Sequence, residues 1–165
     1  MQNTLVFVAV SAVAWWATTA VPFDRPTALA EAEPLVVVVA QAFPQNDISL
    51  ASLKTAFRGR PSNIGGKPLV PINHQLGSAM RVEFDRVVLG LDPAAVGRYW
   101  VDQRIRDEGS PPKTVPTADL AVRVVAALPN AVTYARPSLL NPKVKTVKID
   151  GKAAGQPGYA LAPTR

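Results

Sequence analysis

The stretch from Pro68 to Gly90, PLVPINHQLGSAMRVEFDRVVLG, constrains the fold more than any other part of the chain. Leu69-Val70-Pro71-Ile72 is a short β-branched run that reads as a buried strand ending near Asn73. The polar turn Asn73-His74-Gln75-Leu76-Gly77 follows, and Ser78 stands where a helix N-cap belongs. Met80, Phe84, Val87, Val88 and Leu91 then fall at i, i+4, i+7, i+8 and i+11, one face of a helix that Gly90 closes. A strand that feeds a helix through such a turn leaves free backbone N–H groups at the helix start, where the helix dipole favours an anion. The same N–H groups can equally be capped and solvated.

The rest of the chain repeats this alternation. Leu35-Val36-Val37-Val38-Val39 is an uninterrupted apolar run, as expected of a strand covered on both faces in a parallel sheet. Ser49 caps a helix with Leu50, Leu53 and Phe57 on one face and Gly59 as its stop. Asp92-Pro93 is an N-cap and N1 pair, with Val96, Trp100 and Ile105 inward. Thr117 caps a helix whose Ala121, Val124, Val125 and Leu128 share a face, and Ala131–Ala135 reads as a further strand. The segments 60–67 and 107–116 read as Pro/Gly loops. Val144–Ile149 alternates apolar residues with Lys145 and Lys148, as an edge strand does. The tail from Lys152 is loosely docked, through Tyr159 and Leu161. Helices are therefore expected over 49–58, 78–89, 93–105 and 117–128, on the two faces of one mainly parallel sheet. The fold class is α/β.

With 165 residues, 48% of them hydrophobic, the chain can build one core without staples. It has no cysteine, which excludes disulfides, thiolate catalysis and cysteine zinc sites. The net charge of +6 favours anionic partners. No basic block is interleaved with aromatics, so nucleic acid is not among those expected. Residues 4–21 are apolar and uncharged, and Ala28-Leu29-Ala30 has the form of a signal cleavage site. Met1-Gln2-Asn3 lacks the usual basic residue, so 1–30 reads as a signal peptide or as an uncleaved anchor. Either reading makes 31–165 an extracytoplasmic domain.

An enzyme is not expected. His74 is the chain's single histidine, and no motif supplies triad partners for it. Ser78 lies in Gly-Ser-Ala-Met, not in a nucleophile elbow. No metal-ligand spacing or nucleotide fingerprint is present, so no metal or cofactor is implied.

Leu53-x-x-x-Phe57-Arg58-Gly59, Gly66-Lys67-Pro68-Leu69-Val70-Pro71-Ile72 and Gly77-Ser78-x-x-Arg81-x-x-Phe84 together resemble the second lobe of periplasmic phosphate-binding proteins, the receptors of phosphate ABC transporters. Val88-Leu89-Gly90, Tyr99-Trp100, Gly109-Ser110-Pro111-Pro112 and Ala131-Val132-Thr133-Tyr134 are similar to a short, exported branch of that superfamily. The resemblance runs from about Leu35 to Leu161. It implies a single three-layer αβα lobe of the type 2 periplasmic-binding-protein class, from which the other lobe of the receptors is missing. It also implies a ligand segment from Asn73 to Ala79. Asn73, Gly77, the Ser78 hydroxyl, the N–H groups of Ala79 and Met80, and Arg81 would meet phosphate or a related oxyanion. The sequence departs from the receptors in two ways: Asn73 and His74 stand in place of the strand-end arginine, and Gly77-Ser78-Ala79 in place of Ser-Gly-Thr. The expected function is weak oxyanion binding by an exported module. The alternative is an envelope interaction or scaffold domain, possible also as a homodimer, that has lost the ligand.

Overall fold

The computed structural model describes residues 33–162, so the expected signal or anchor over 1–30 lies outside the described residues. Alternation along the valine run organises the core. In β1 (Val36–Ala40), Val37 and Val39 enter one apolar cluster while Val36 and Val38 enter another on the opposite face. Every residue of β1 is buried because strands flank it on both sides and helices cover both faces.

The remaining strands are β2 (Asp47–Ile48), β3 (Asn63–Ile64), β4 (Lys67–Pro68), β5 (Val70–His74), β6 (Lys113–Val115), β7 (Ala131–Ala135) and β8 (Val144–Ile149). Six of the eight form the central sheet in the order β2-β8-β1-β7-β5-β6. β5 runs parallel to β6 and β7, and β2 runs parallel to β8, whereas β1 is antiparallel to both neighbours. The sheet is thus mainly parallel, with β1 alone inverted between β7 and β8. A both-faces-buried run has the same composition in either direction, because burial and not strand direction selects valine.

The helices are α1 (Leu50–Phe57), α2 (Ala79–Phe84), α3 (Pro93–Arg106) and α4 (Ala118–Ala127). A π-helical turn over Asp85–Leu89 extends α2 and ends at Gly90, whose φ of 71° suits a residue without Cβ. Ser49, Asp92 and Thr117 cap α1, α3 and α4 as their positions predict, each accepting a first-turn backbone N–H. One core joins β1, α1, α2 and its π turn with Phe43, Ile48, Tyr134, Tyr159 and Leu161. The other packs Ala121, Val122 and Val125 of α4 against Val36, Val38, Ile72 and Val144. Layered helices and sheet account for Phe57, Phe84, Val88 and Val125 being at most 2% exposed.

Several local expectations change. Both Pro/Gly loops contain strand residues: 60–67 holds β3 and the first residue of β4, a hairpin turned at Gly65-Gly66, and β6 lies within 107–116. β8 is not the edge, since the two-residue β2 pairs with its last residues. α3 buries Val96 and Gln103, while Trp100 is only half-buried and Ile105 is 77% exposed. This helix meets the end of α1: Tyr99 Oη donates to the Arg58 carbonyl at 3.0 Å. A Cβ on Gly59, where φ is 74°, would come within 3.1 Å of Trp100 and 2.4 Å of the Ser110 carbonyl. Glycine there lets the two segments close on the α1 terminus. Among the described residues, no helix is long and apolar enough to cross a membrane.

Candidate functional site

β5 ends at His74, and four residues carry the chain round to α2. Ser78 N–H donates to the Gln75 carbonyl at 3.1 Å, and Gly77 takes a φ of 83° with open space where a Cβ would point. Ser78 has extended backbone angles (φ −64°, ψ 143°), and its carbonyl accepts the first helical bond from Val82 N–H at 3.0 Å. It has cap geometry without a side-chain cap bond, unlike Ser49, Asp92 and Thr117. Its Oγ is buried with no hydrogen-bond partner. The first-turn N–H groups of Ala79, Met80 and Arg81 have no intrahelical acceptor by construction. Gly77 and Ala79 are exposed, while Ser78 and Met80 are half-buried. Ala79 and Met80 therefore bring two backbone donors to an open helix start, and the Ser78 hydroxyl beside them is buried and unpaired.

Asn73 and Arg81 belong to a different environment. Asn73 is 1% exposed, and its Oδ1 accepts the His74 N–H at 2.9 Å and the Tyr134 hydroxyl at 2.5 Å. Arg81 is neither a solvated surface residue nor a free cation. It is 6% exposed, its Nη1 donates to the His74 carbonyl at 2.8 Å, and its Nε donates to Asp85 Oδ2 at 3.1 Å. The pair sits at i and i+4 on the inner face of the helix. His74 is buried too, although the sequence reads as a polar turn there, and its Nε2 lies 2.7 Å from the Tyr134 carbonyl. A carbonyl can only accept, so Nε2 carries the proton and donates.

The electrostatics follow from this burial. Burial first, then the nearby Arg81 charge, push the His74 pKa down, although the bond to the Tyr134 carbonyl opposes them. Burial pushes the Asp85 carboxyl up, and the Arg81 charge and hydrogen bond pull it part of the way back. The Tyr134 hydroxyl is raised, chiefly by burial. These groups brace the sheet against the helix. Sequence reasoning passed over Tyr134 and Asp85 as parts of this cluster. Only the i, i+4 spacing of Arg81 and Asp85 could have signalled it beforehand.

Comparison with solved structures finds the same architecture in phosphate receptors. An ABC-type phosphate transport receptor from Vibrio cholerae superposes with a TM-score of 0.59 at 16% identity, over 74% of this chain and 48% of that one. A phosphate ABC transporter substrate-binding protein from Clostridium perfringens, solved with bound phosphate, gives 0.59 at 20% identity, over 74% and 47%. A possible phosphate binding protein from Planctomyces limnophilus gives 0.54 at 17% identity, over 80% and 45%. Most of this chain therefore matches about half the length of each. No protein-family model matches the chain, and no curated protein does. The chain has the mainly parallel α/β fold of a periplasmic-binding-protein lobe, as found in the phosphate receptors of ABC transporters.

Proposed function

We propose that this protein is an exported, phosphate-receptor-like module that binds phosphate or a related oxyanion weakly at the start of α2. The Ser78 hydroxyl carries the reading: it makes no cap bond, has no partner, and stands beside the unpaired N–H groups of Ala79 and Met80. Gly77 lets the turn approach a ligand closely, and Arg81 and Asn73 act from behind by holding the strand end and the helix start. An open site is screened by water and salt, so the expected affinity is millimolar, about 4 kcal/mol. A binding role, not a catalytic one, is supported by His74, whose ring proton is committed to a buried carbonyl.

The test is thermal unfolding with and without phosphate. A ligand that binds only the native state raises the midpoint. Because Ser78 makes no cap bond, Ser78→Ala should cost less than the 0.5–2 kcal/mol typical of a lost cap, about 0.5 kcal/mol or below. It should shrink the phosphate-induced rise, and sodium chloride should weaken the rise in wild type. A wild-type midpoint that ignores phosphate and sulfate at tens of millimolar (~10–50 mM) rejects the reading.

Two observations favour the second reading, an envelope interaction or scaffold domain. The Arg81 charge is already neutralised by Asp85, while Val101 and Ile105 stand exposed on α3 at 58% and 77%. Such a domain would meet an envelope protein or a second copy of itself.

Export is part of the proposal for either reading. Intact-mass measurement on fractionated cells is expected to find mature protein beginning at Glu31 in the soluble extracytoplasmic fraction. Chains retaining residues 1–30 in the membrane fraction would show an uncleaved anchor instead.

A further inference from the structure

A second set of donors gathers at the other end of the same helix. Arg58 Nη2 donates to the carbonyl of Leu89 at 3.0 Å, and Leu89 is the last residue of the π turn. At about 1.5 Å per residue, the helix from Ala79 to Leu89 separates this point from Ser78 by about 15 Å. Beside it lies a cavity of about 340 Å³ lined by Ala51, Lys54, Thr55, Arg58, Arg60 and Tyr99. Its volume falls within the range of small-molecule sites, about 300–1,000 Å³.

The cations here are positioned and under-neutralised. The Arg58 guanidinium lies 5.9 Å from the centre of the Tyr99 ring, and the Tyr99 hydroxyl donates back to the Arg58 carbonyl. Arg58 Nε is buried with no hydrogen-bond partner. Among the described residues, neither Lys54 nor Arg58 has a carboxylate partner, and Arg60 reaches Glu108 only at 3.7 Å. Three cations against one carboxylate leave two positive charges around one cavity. The C-terminal ends of α1 and of the π turn, whose Leu89 carbonyl Arg58 binds, each offset at most about half a charge, so the cavity stays net positive. A phosphate group suits the arginine fork and presents three oxygens to the three cations, where a carboxylate presents two. Tyr99 and Ala51 add an apolar wall that a bare phosphate ion would not use.

We propose that this cavity is a second anion site, separate from Ser78, which takes the phosphate of a small organic phosphomonoester. The test is calorimetric titration of the full chain with phenyl phosphate and with inorganic phosphate. Phenyl phosphate is expected to bind the more tightly. Lys54→Gln and Arg60→Gln are each expected to weaken it about tenfold, since each removes one charge-assisted contact. Ser78→Ala is expected to leave it unchanged. Both glutamine substitutions leave the Arg58 contacts to Leu89 and Tyr99 in place, and an unchanged unfolding midpoint would show that the fold is kept. No saturation below about 10 mM, equal affinity for the two probes, binding that survives the double substitution, or loss in Ser78→Ala would each overturn the proposal. Failure here leaves the Ser78 reading standing, because inorganic phosphate and Ser78→Ala test that reading separately.

Discussion

Replacing Phe84 by alanine is expected to lower the free energy of unfolding by about 3–5 kcal/mol. The residue is 0% exposed at the junction of the helix and the sheet. Its ring stacks on Tyr134 with centroids 3.8 Å apart and planes 6° from parallel, and it meets Phe57 edge-on at 4.6 Å. Truncation removes the transfer energy of the ring and leaves a cavity, and the surrounding elements cannot close it. Phe57 is tied to α1, and Tyr134 is held in the sheet by its hydroxyl bond to Asn73. Tyr134 also loses its stacking partner, so its burial becomes less favourable. Denaturant unfolding is the measurement. A loss below about 1 kcal/mol would mean that the helix packs through another face.

Arg81→Met is expected to cost about 3–5 kcal/mol near neutral pH, because it leaves the Asp85 carboxylate buried and unpaired. Asp85 is 3% exposed, and Arg81 is what draws its pKa down against burial. Without Arg81 the folded-state pKa rises further above the ordinary value of 3.8. A carboxyl with a raised folded pKa contributes most below its unfolded pKa, and the contribution is lost as pH rises through the folded value. The penalty of Arg81→Met relative to wild type should therefore shrink as pH falls from about 7 towards about 4. His74 works in the opposite direction. Its depressed pKa makes the neutral ring the stable form, so its contribution is full above 6.5 and fades as pH falls through the folded value. Part of the His74 depression comes from Arg81, so the variant should lose less stability than wild type through this group as well. The double variant Arg81→Met/Asp85→Leu is expected to recover most of the loss, since it removes both buried charges. A single variant with a pH-independent penalty, or one below about 1 kcal/mol, would show that the ion pair is not what fills this position.

Phe84 meets Phe57 and Tyr134 from far along the chain, whereas Arg81 meets Asp85 four residues on, and this difference separates what could be read beforehand from what could not. The helix spans were legible because their signals are local: apolar spacing along α4, Ser49, Asp92 and Thr117 one residue before their helices, and Gly59 and Gly90 after. The burial of all of β1 was legible for the same reason, since an unbroken valine run suits only a strand covered on both faces. The turn from Gly77 to Met80 was visible as a helix start, although the missing Ser78 cap bond was not.

Tertiary structure alone decided the rest. The direction of β1 depends on pairing with β7 and β8, about a hundred residues downstream, and side-chain alternation is identical in a parallel and an antiparallel strand. β2, β3, β4 and β6 span two or three residues each, too few to generate a period, so only their partners make them strands. Ile105 follows the helical spacing yet faces solvent, because α3 meets the end of α1 through Tyr99 and Trp100, leaving its last turn uncovered. The orientation of Asn73 belongs here as well. A polar side chain turns inward only where a partner satisfies it, and Asn73 finds its partner in Tyr134, 61 positions along the chain. Local sequence thus determined which segments are helix or strand, and long-range pairing determined which way they run and which polar groups they enclose. Periodicity is a property of neighbouring residues, whereas hydrogen-bond satisfaction in a core is a property of the assembled fold.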